Sequence, residues 1–241
     1  MGATWDGCDP VSALAAAVEA VQALRPSPDA VLVSGDLAEH AEDAEYDQLR
    51  ELLAPIHAPI YVLPGNHDER AALRRHFDLP GVGGEPVQYA AELGPLRLVV
   101  LDTTSPGEDP GALDEERLSW LDAELRSAPE APTVLAMHHP PLVTGIPALD
   151  AIGLPAEDRR ALAAVVERHP QVRRLVAGHM HRAVTAVLAG RAVLAVPSTY
   201  MQARLDFTSN LLRTVPEPAG FAVHVLLDGE VISHVQQVDR A

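Results

Sequence analysis

Short apolar runs alternate with helical patterns through most of this 241-residue chain. The runs at 30–33 and 133–137 are flanked by polar or turn-forming residues, which is typical of short buried strands. Between such runs the leucines fall at helical spacing, as Leu118, Leu121 and Leu125 do. Strands that alternate with helices predict an α/β fold built on a mainly parallel sheet.

Beyond residue 183 the pattern changes to strands that are joined by tight turns. Gly190 and the Asp228-Gly229 pair are typical of hairpin turns. In full, the sequence predicts helices at 11–24, 44–53, 71–77, 114–126 and 158–168, strands at 30–33, 60–63, 96–101, 133–137, 174–177, 184–188, 192–196, 221–227 and 231–235, and long loops at 81–85 and 200–218.

The charge balance limits the partners of the chain. Acidic residues outnumber basic ones by 34 to 18, which gives a formal net charge of −16. We therefore expect neither a nucleic-acid polymer nor an anionic membrane surface as a partner.

Cys8 is the only cysteine, so no disulfide can form within the chain. With no membrane-spanning stretch and no signal-peptide pattern, the sequence predicts a soluble, cytoplasmic protein.

Four of the predicted strands end in segments rich in glycine, histidine and carboxylate or amide side chains. Because the carboxyl ends of parallel strands lie along one edge of a sheet, these segments should meet in one crevice. Glycine allows the sharp turn that aims the next side chain into it. The convergent set is Asp36, Asn66, His67, His138, His179 and His181.

This donor set is typical of a hydrolytic metal site. It offers oxygen and imidazole ligands without a thiolate, which suits Mn, Fe or Zn. We expect a turn, rather than a strand, to present His179 and His181, which are two residues apart, if both face one site. A lone Gly-Asp pair after a strand, such as the one that contains Asp36, is more often part of a turn than of a metal site. Four such motifs at successive strand ends are not explained by turn formation.

The order Gly-Asp, Gly-Asn-His-Asp, His-His-Pro-Pro and Gly-His-x-His resembles that of the calcineurin-like metallophosphoesterases. It is most similar to the bacterial class III cyclic-nucleotide phosphodiesterases and their glycerophosphodiesterase relatives, from Asp9 to about residue 200. The resemblance implies a four-layer αββα sandwich with a two-metal site between the sheets. It also implies a metal-dependent phosphodiesterase that hydrolyses a small phosphodiester, 3′,5′-cyclic AMP or another cyclic nucleotide, by attack of a metal-bridging hydroxide.

The resemblance implies five metal ligands. Asp36 bridges the two ions, His181 binds one of them, and the other ion is completed by Asn66, His138 and His179.

Three further residues have roles beside the metals in this interpretation. His67 lies next to the substrate phosphate without binding metal, where it stabilises developing charge or protonates the departing alkoxide. Asp68 and His139 orient the ligands through hydrogen bonds.

One family motif has no counterpart here. The family pattern begins with Asp-x-His at the end of its first strand, which supplies two ligands to the ion that His181 serves. Before His57 the only histidine is His40, and it follows the Gly-Asp motif. Either Met1 is not the native start and a strand is missing, which we favour, or the metal site is degenerate. We therefore expect one N-terminally incomplete domain, 1–241, with a single tightly bound ion and poor catalysis.

Other functions stay open at this point. Within the same reaction class the alternatives are a glycerophosphodiesterase and a broad phosphomonoesterase. From another class, the chain could be a non-catalytic metal-binding interaction protein with a degenerate site, although the presence of His67 argues against this. A homodimer is a further expectation, because the segment from Tyr200 is apolar enough for a partner surface. The histidines outside the motifs are expected to be solvated or to face outward: His40, His57, His76, His169, His224 and His234.

Overall fold

The computed structural model describes residues 9–238. Within this range no helix combines the length and the apolar character needed to span a bilayer. The helices are α1 (Pro10–Gln22), α2 (Asp43–Leu53), α3 (Arg70–His76), α4 (Glu115–Ser127), α5 (Pro147–Asp150) and α6 (Ala156–Glu167). The strands are β1 (Val31–Val33), β2 (Ile60–Val62), β3 (Tyr89–Leu93), β4 (Leu96–Val100), β5 (Thr133–Met137), β6 (Val172–Ala177), β7 (Val184–Leu188), β8 (Arg191–Ala195), β9 (Gln202–Ala203), β10 (Thr214–Val215), β11 (Ala219–Leu227) and β12 (Glu230–Val238).

Local sequence explains where the helices begin. The Asp9 carboxylate accepts from the backbone N–H groups of Val11 and Ser12, and Pro10 occupies the first turn of α1. The Asp114 carboxylate caps α4 by accepting from Arg117 N, and acidic residues follow it in the first turn. Both arrangements satisfy amides that a helix start leaves without partners.

The larger sheet has the strand order β3-β4-β5-β6-β8-β7. The four interior strands β4, β5, β6 and β8 run parallel to one another. The edge strands β3 and β7 pair antiparallel with β4 and β8. A second layer holds the parallel pair β1-β2 and the antiparallel hairpin β11-β12. The Asp228-Gly229 turn of that hairpin has positive φ at both residues, as the sequence predicts.

Hydrophobic clusters define four layers. Between the sheets, Leu98, Val134 and Val176 of the larger sheet pack in one cluster with Leu63 and Val231 of the smaller layer. On the outer face of the larger sheet, side chains of α4 and α6 are buried against β4, β5 and β6. On the other side, α1, α2 and α3 form a cluster with β1 and β2. The predicted α/β class and the αββα layering are thus confirmed.

The predicted helices and strands are all present, most of them with bounds within two residues. The alanine-rich strand β3 was not predicted, because YAAEL lacks the β-branched residues that mark a strand. The short elements α5, β9 and β10 were also not predicted, and β9 and β10 lie in the expected 200–218 loop. The strand expected before Asp9, and Cys8, lie outside the described residues.

Three histidines differ from expectation. The His76 side chain is 9% exposed, not solvated, and its Nε2 lies 2.9 Å from Asp43 Oδ1. His169 is buried, not solvated, and its Nε2 lies 2.9 Å from the Asp122 carboxylate. His224 does not face outward: it shares its strand face with Leu226, which packs between the sheets, and its Nδ1 lies 2.8 Å from Ser233 Oγ. Sequence alternation alone did not show which face of β11 meets the larger sheet.

The apolar segment after Tyr200 is only partly buried. Met201 is 2% exposed, whereas Phe207 and Leu211 are 59% and 67% exposed. An apolar surface is therefore present, and the homodimer stays a prediction.

Candidate metal centre

The structure brings the strand-end motifs together at the carboxyl ends of β1, β2, β5 and β6. Asp36 follows β1, Asn66 follows β2, and His138 directly follows β5. His179 and His181 follow β6. These are the five residues that the sequence singles out as candidate metal ligands.

His138 Nε2 and three further donor atoms lie close together. The His138 nitrogen lies 3.1 Å from Asn66 Oδ1, 3.1 Å from His179 Nδ1 and 3.3 Å from Asp36 Oδ2. Two ligand atoms that each lie about 2.1 Å from a shared ion are about 3.0–3.4 Å apart in octahedral or tetrahedral geometry. The spacing of these side chains therefore fits one bound cation.

Hydrogen bonds to the main chain fix which nitrogen of each ring faces the site. His138 Nδ1 donates to Ser34 O at 2.8 Å, and His179 Nε2 donates to Ile152 O at 3.0 Å. A carbonyl can only accept, so these nitrogens carry the hydrogen of the neutral ring. The bare nitrogens then face each other and Asn66 Oδ1. Such a group of lone pairs without an intervening hydrogen is suited to a cation.

The charges of the cluster follow from burial and from Asp36. Burial raises the pKa of the Asp36 carboxyl, but His138, His67 and His179 outweigh it, and the net pKa lies well below its usual value. Burial and His138 lower the pKa of His179 to about 3. Burial also opposes protonation of His138, yet Asp36 raises its pKa overall. A cation bound beside Asp36 would take the place of that proton.

A turn presents His179 and His181 to the same region. Both residues adopt left-handed backbone conformations, with φ values of 63° and 46°. The chain therefore turns at both residues, as the sequence predicts, and does not continue as a strand. His181 Nδ1 donates to Met201 O at 3.0 Å, which leaves its Nε2 without the hydrogen. Burial lowers the pKa of His181.

Two glycines are required by close packing at the site. Gly35 has a φ of 97°, and a Cβ atom there would overlap His138 Nδ1. A Cβ atom on Gly65 would overlap the Asp36 carboxylate. Both glycines let the chain turn sharply while the site side chains occupy the space beside it.

Asp68 links the loop after β1 to the loop after β2. Its carboxylate accepts from Leu37 N, Ala38 N and Gly65 N at 2.8–3.2 Å, and from Tyr46 Oη at 3.1 Å. Burial, followed by the charge of Asp36, raises the pKa of Asp68 to about 6. Asp68 therefore lies where it can orient Asp36 rather than replace it.

His139 packs against the histidines of the cluster, but both of its ring nitrogens form hydrogen bonds with other residues. Its ring centroid lies 4.9 Å from that of His138 and 4.4 Å from that of His179. Its Nε2 donates to Asp109 O at 3.1 Å, and its Nδ1 accepts from Thr103 Oγ1 at 2.9 Å. Burial, then His138 and His179, lowers its pKa to about 2. With both nitrogens occupied, His139 supports its neighbours.

His67 lies beside Asp36 but reaches solvent. Its backbone N–H donates to Asp36 Oδ1 at 3.2 Å, and its side chain is 41% exposed. Its Nδ1 lies 3.3 Å from Glu39 O. The ring is thus free to meet a ligand that enters from solvent.

Sequence reasoning missed the partners that hold these side chains. The carbonyls of Ile152 and Met201 orient two histidines, and no side-chain pattern signals a carbonyl. Asp109 and Thr103 come from loops after β4 whose sequences resemble ordinary turns. The buried Asp102 beside them carries the only available signal, since it directly follows the apolar run LRLVVL.

Comparisons with known proteins identify a matching family and similar relatives. The family model described as calcineurin-like phosphoesterase matches residues 9–183. The chain is 32% identical over 241 residues to the 3′,5′-cyclic adenosine monophosphate phosphodiesterase CpdA of Pseudomonas aeruginosa, covering 99% of this chain and 85% of that protein. It is 33% identical over 189 residues to the glycerophosphodiester phosphodiesterase GpdQ of Enterobacter lignolyticus, covering 77% and 67%.

A solved structure shares the fold. The purple acid phosphatase PPD1 from yellow lupin superposes with a TM-score of 0.71 at 15% identity. The alignment covers 97% of this chain and 48% of the lupin protein, so the chain spans about half the length of that enzyme.

Proposed function

Because the chain belongs to the calcineurin-like phosphoesterase family, we propose that it is a metal-dependent phosphodiesterase with a two-metal centre and a 3′,5′-cyclic nucleotide as its favoured substrate. Phosphodiester hydrolysis is supported by relatives that are named phosphodiesterases. The observation that carries the proposal for this chain is the convergence of Asp36, Asn66, His138 and His179. Their donor atoms have the spacing and the hydrogen-free nitrogens of a cation site.

In this proposal the ligands divide between two positions. Asn66, His138 and His179 hold one ion together with Asp36. Asp36 would also serve the second position together with His181 Nε2, and with these two ligands alone that position should bind its ion weakly. Mn, Fe or Zn suits this oxygen and imidazole set.

Two cations at such a centre supply Lewis-acid activation of water and neutralise charge on the phosphoryl oxygens. The side chains of the protein then have to position the metal-ligand atoms and transfer protons. Asp36 holds both positions because its carboxylate has two oxygens. The Ser34, Ile152 and Met201 carbonyls keep the histidine rings in the tautomer that can bind metal.

His67 has the position of a proton donor to the leaving group. It lies next to Asp36, its Nδ1 lies 3.3 Å from Glu39 O and 4.0 Å from the Glu39 carboxylate, and the side chain is open to solvent. An imidazole there can protonate a departing alkoxide. This placement favours an enzyme over the alternative of a non-catalytic metal-binding interaction protein.

The substrate is tested by a rate comparison on the Mn²⁺-loaded protein. We expect the highest kcat/KM for 3′,5′-cyclic AMP, compared with glycerophosphoethanolamine and p-nitrophenyl phosphate. A higher kcat/KM for glycerophosphoethanolamine would instead make the protein a glycerophosphodiesterase. Comparable rates on the monoester would indicate a broad phosphomonoesterase. A cytoplasmic location stays a prediction.

A further inference from the structure

Asn66 presents a problem that the other candidate ligands do not. An amide side chain can bind a cation through Oδ1 only, because the NH₂ group at the other end has no available lone pair. A rotation of about 180° around the terminal torsion exchanges the two ends at little cost in shape. Another group must therefore hold the amide so that its oxygen faces the site.

Asp109 is placed to do this. Asn66 Nδ2 lies 3.5 Å from Asp109 Oδ1, while Asn66 Oδ1 lies 3.1 Å from His138 Nε2. An ionised carboxylate can only accept, so it attracts the NH₂ end and repels the oxygen. At the long limit of a hydrogen bond, the contact orients the amide mainly through this electrostatic preference.

The main chain of Asp109 is held independently of its side chain. Its carbonyl accepts from His139 Nε2 at 3.1 Å, and Ala112 N donates to Thr103 O at 2.9 Å nearby. Gly111 packs against the His139 ring, where a Cβ atom would lie 2.6 Å from Cγ. A side-chain substitution at 109 therefore removes the carboxylate and leaves these backbone contacts available.

We infer that Asp109 is a positioning residue that sets the orientation of the Asn66 amide and thereby the affinity of the four-ligand site for its cation. The inference rests on the proposed metal centre. No strand-end motif contains Asp109, and its link to the site is the contact with Asn66.

The test compares the Mn²⁺ affinity of four proteins: wild type, Asp109→Leu, Asp109→Asn and Glu108→Gln. Asp109→Leu removes the acceptor at similar size. Asp109→Asn removes the charge but keeps an oxygen that can accept from Asn66. Glu108→Gln is the matched control, since it removes the same charge one residue away. Calorimetric titration gives the dissociation constant, and unfolding curves in EDTA show whether each chain folds equally well.

We expect Asp109→Leu to raise the Mn²⁺ dissociation constant by about 10–100-fold, the range for groups that orient metal ligands. Asp109→Asn should recover only part of this loss, because its oxygen can accept from Asn66 without the charge that favours the NH₂ end, and Glu108→Gln should match wild type. At low Mn²⁺, kcat of Asp109→Leu should fall and recover as Mn²⁺ is raised, with KM for substrate unchanged. If Asp109→Leu fails to fold, Asp109→Ala takes its place in the same comparison.

Three results would overturn the inference, and they are distinguishable from one another. If wild type binds Mn²⁺ and the Leu variant binds it equally well, Asp109 does not position Asn66 and the proposed function is unaffected. If wild type binds no Mn²⁺, the proposed function fails and this inference fails with it. An equal loss in Glu108→Gln would assign the effect to net charge near the site and not to the contact with Asn66, also against the inference.

Discussion

His138 Nε2 and His179 Nδ1 lie 3.1 Å apart, and each ring donates its other N–H to a backbone carbonyl. The two nitrogens that face each other therefore both present lone pairs when the rings are neutral. Such a contact is unfavourable unless a positive charge lies between them. The carbonyls of Ser34 and Ile152 belong to segments far apart in sequence, so the fold itself maintains this arrangement.

Substitution of His67 should reduce turnover without changing metal binding. We expect His67→Ala to leave the Mn²⁺ content unchanged, because the His67 ring contacts Glu39 and not the four donor atoms. Turnover should fall by about 10²-fold or more, the usual size of a lost general acid. The measurements are elemental analysis and steady-state kcat on the same preparation.

His40→Ala is the control for His67, since His40 is an exposed histidine on the neighbouring loop. Unchanged turnover in His67→Ala would remove the proton-donor role. A fall in metal content would instead make His67 a ligand.

The ion pair between Arg70 and Asp102 should stabilise the loops that hold His139. Arg70 Nε donates to Asp102 Oδ2 at 2.8 Å, its other nitrogens donate to the carbonyls of Gly84 and Thr104, and the Asp102 side chain is fully buried. Arg70→Met would leave a buried carboxylate without its cation. We expect the free energy of unfolding to fall by about 3–5 kcal/mol, measured by urea denaturation.

Arg75 on the same helix provides the matched control. Its bond to Asp43 is 2.7 Å, but both side chains are more than half exposed. Arg75→Met should therefore lower the free energy of unfolding far less than Arg70→Met does. A similar loss in the two variants would contradict the assignment of stability to the buried pair.

His224 should make stability fall in mild acid. Burial, and then the charge of Arg174, lowers its pKa in the folded state from 6.5 to about 4. The unfolded chain takes up this proton at a higher pH than the folded protein, so the folded state loses stability as the pH drops from 6.5 towards 4. The expected slope from this residue is about 1.4 kcal/mol per pH unit.

The measurement is urea unfolding in EDTA at several pH values for wild type and His224→Gln. The variant should show a shallower loss between pH 6.5 and 4, and the two curves should run parallel above pH 6.5. His234→Gln, at an exposed position on the partner strand β12, should behave as wild type. Identical slopes in wild type and His224→Gln would contradict this account.

The sequence predicts what depends on local pattern. Strand ends bearing Asp36, Asn66, His138 and His179 can be placed at one edge because parallel strands share a direction. The turn that carries His179 and His181 can also be inferred, because Gly178 lets the chain turn as it leaves the strand. These inferences need only backbone geometry and the periodicity of apolar residues.

What the sequence does not predict depends on contacts between distant segments. The Ile152 and Met201 carbonyls orient histidines, but every residue has a carbonyl. His169 resembles a solvated helix-end histidine until α4 brings Asp122 against it. Asp109 has no distinguishing neighbours in sequence, and only the packing of its loop on His139 brings it to Asn66.

Whether the four strand-end side chains form a cation site is tested by elemental analysis of the purified chain after Mn²⁺ loading and desalting. We expect at least one ion per chain, held by Asp36, Asn66, His138 and His179. His179→Ala should lose that ion while retaining the wild-type circular dichroism spectrum. A wild-type content near zero would contradict the assignment of these four side chains as a cation site.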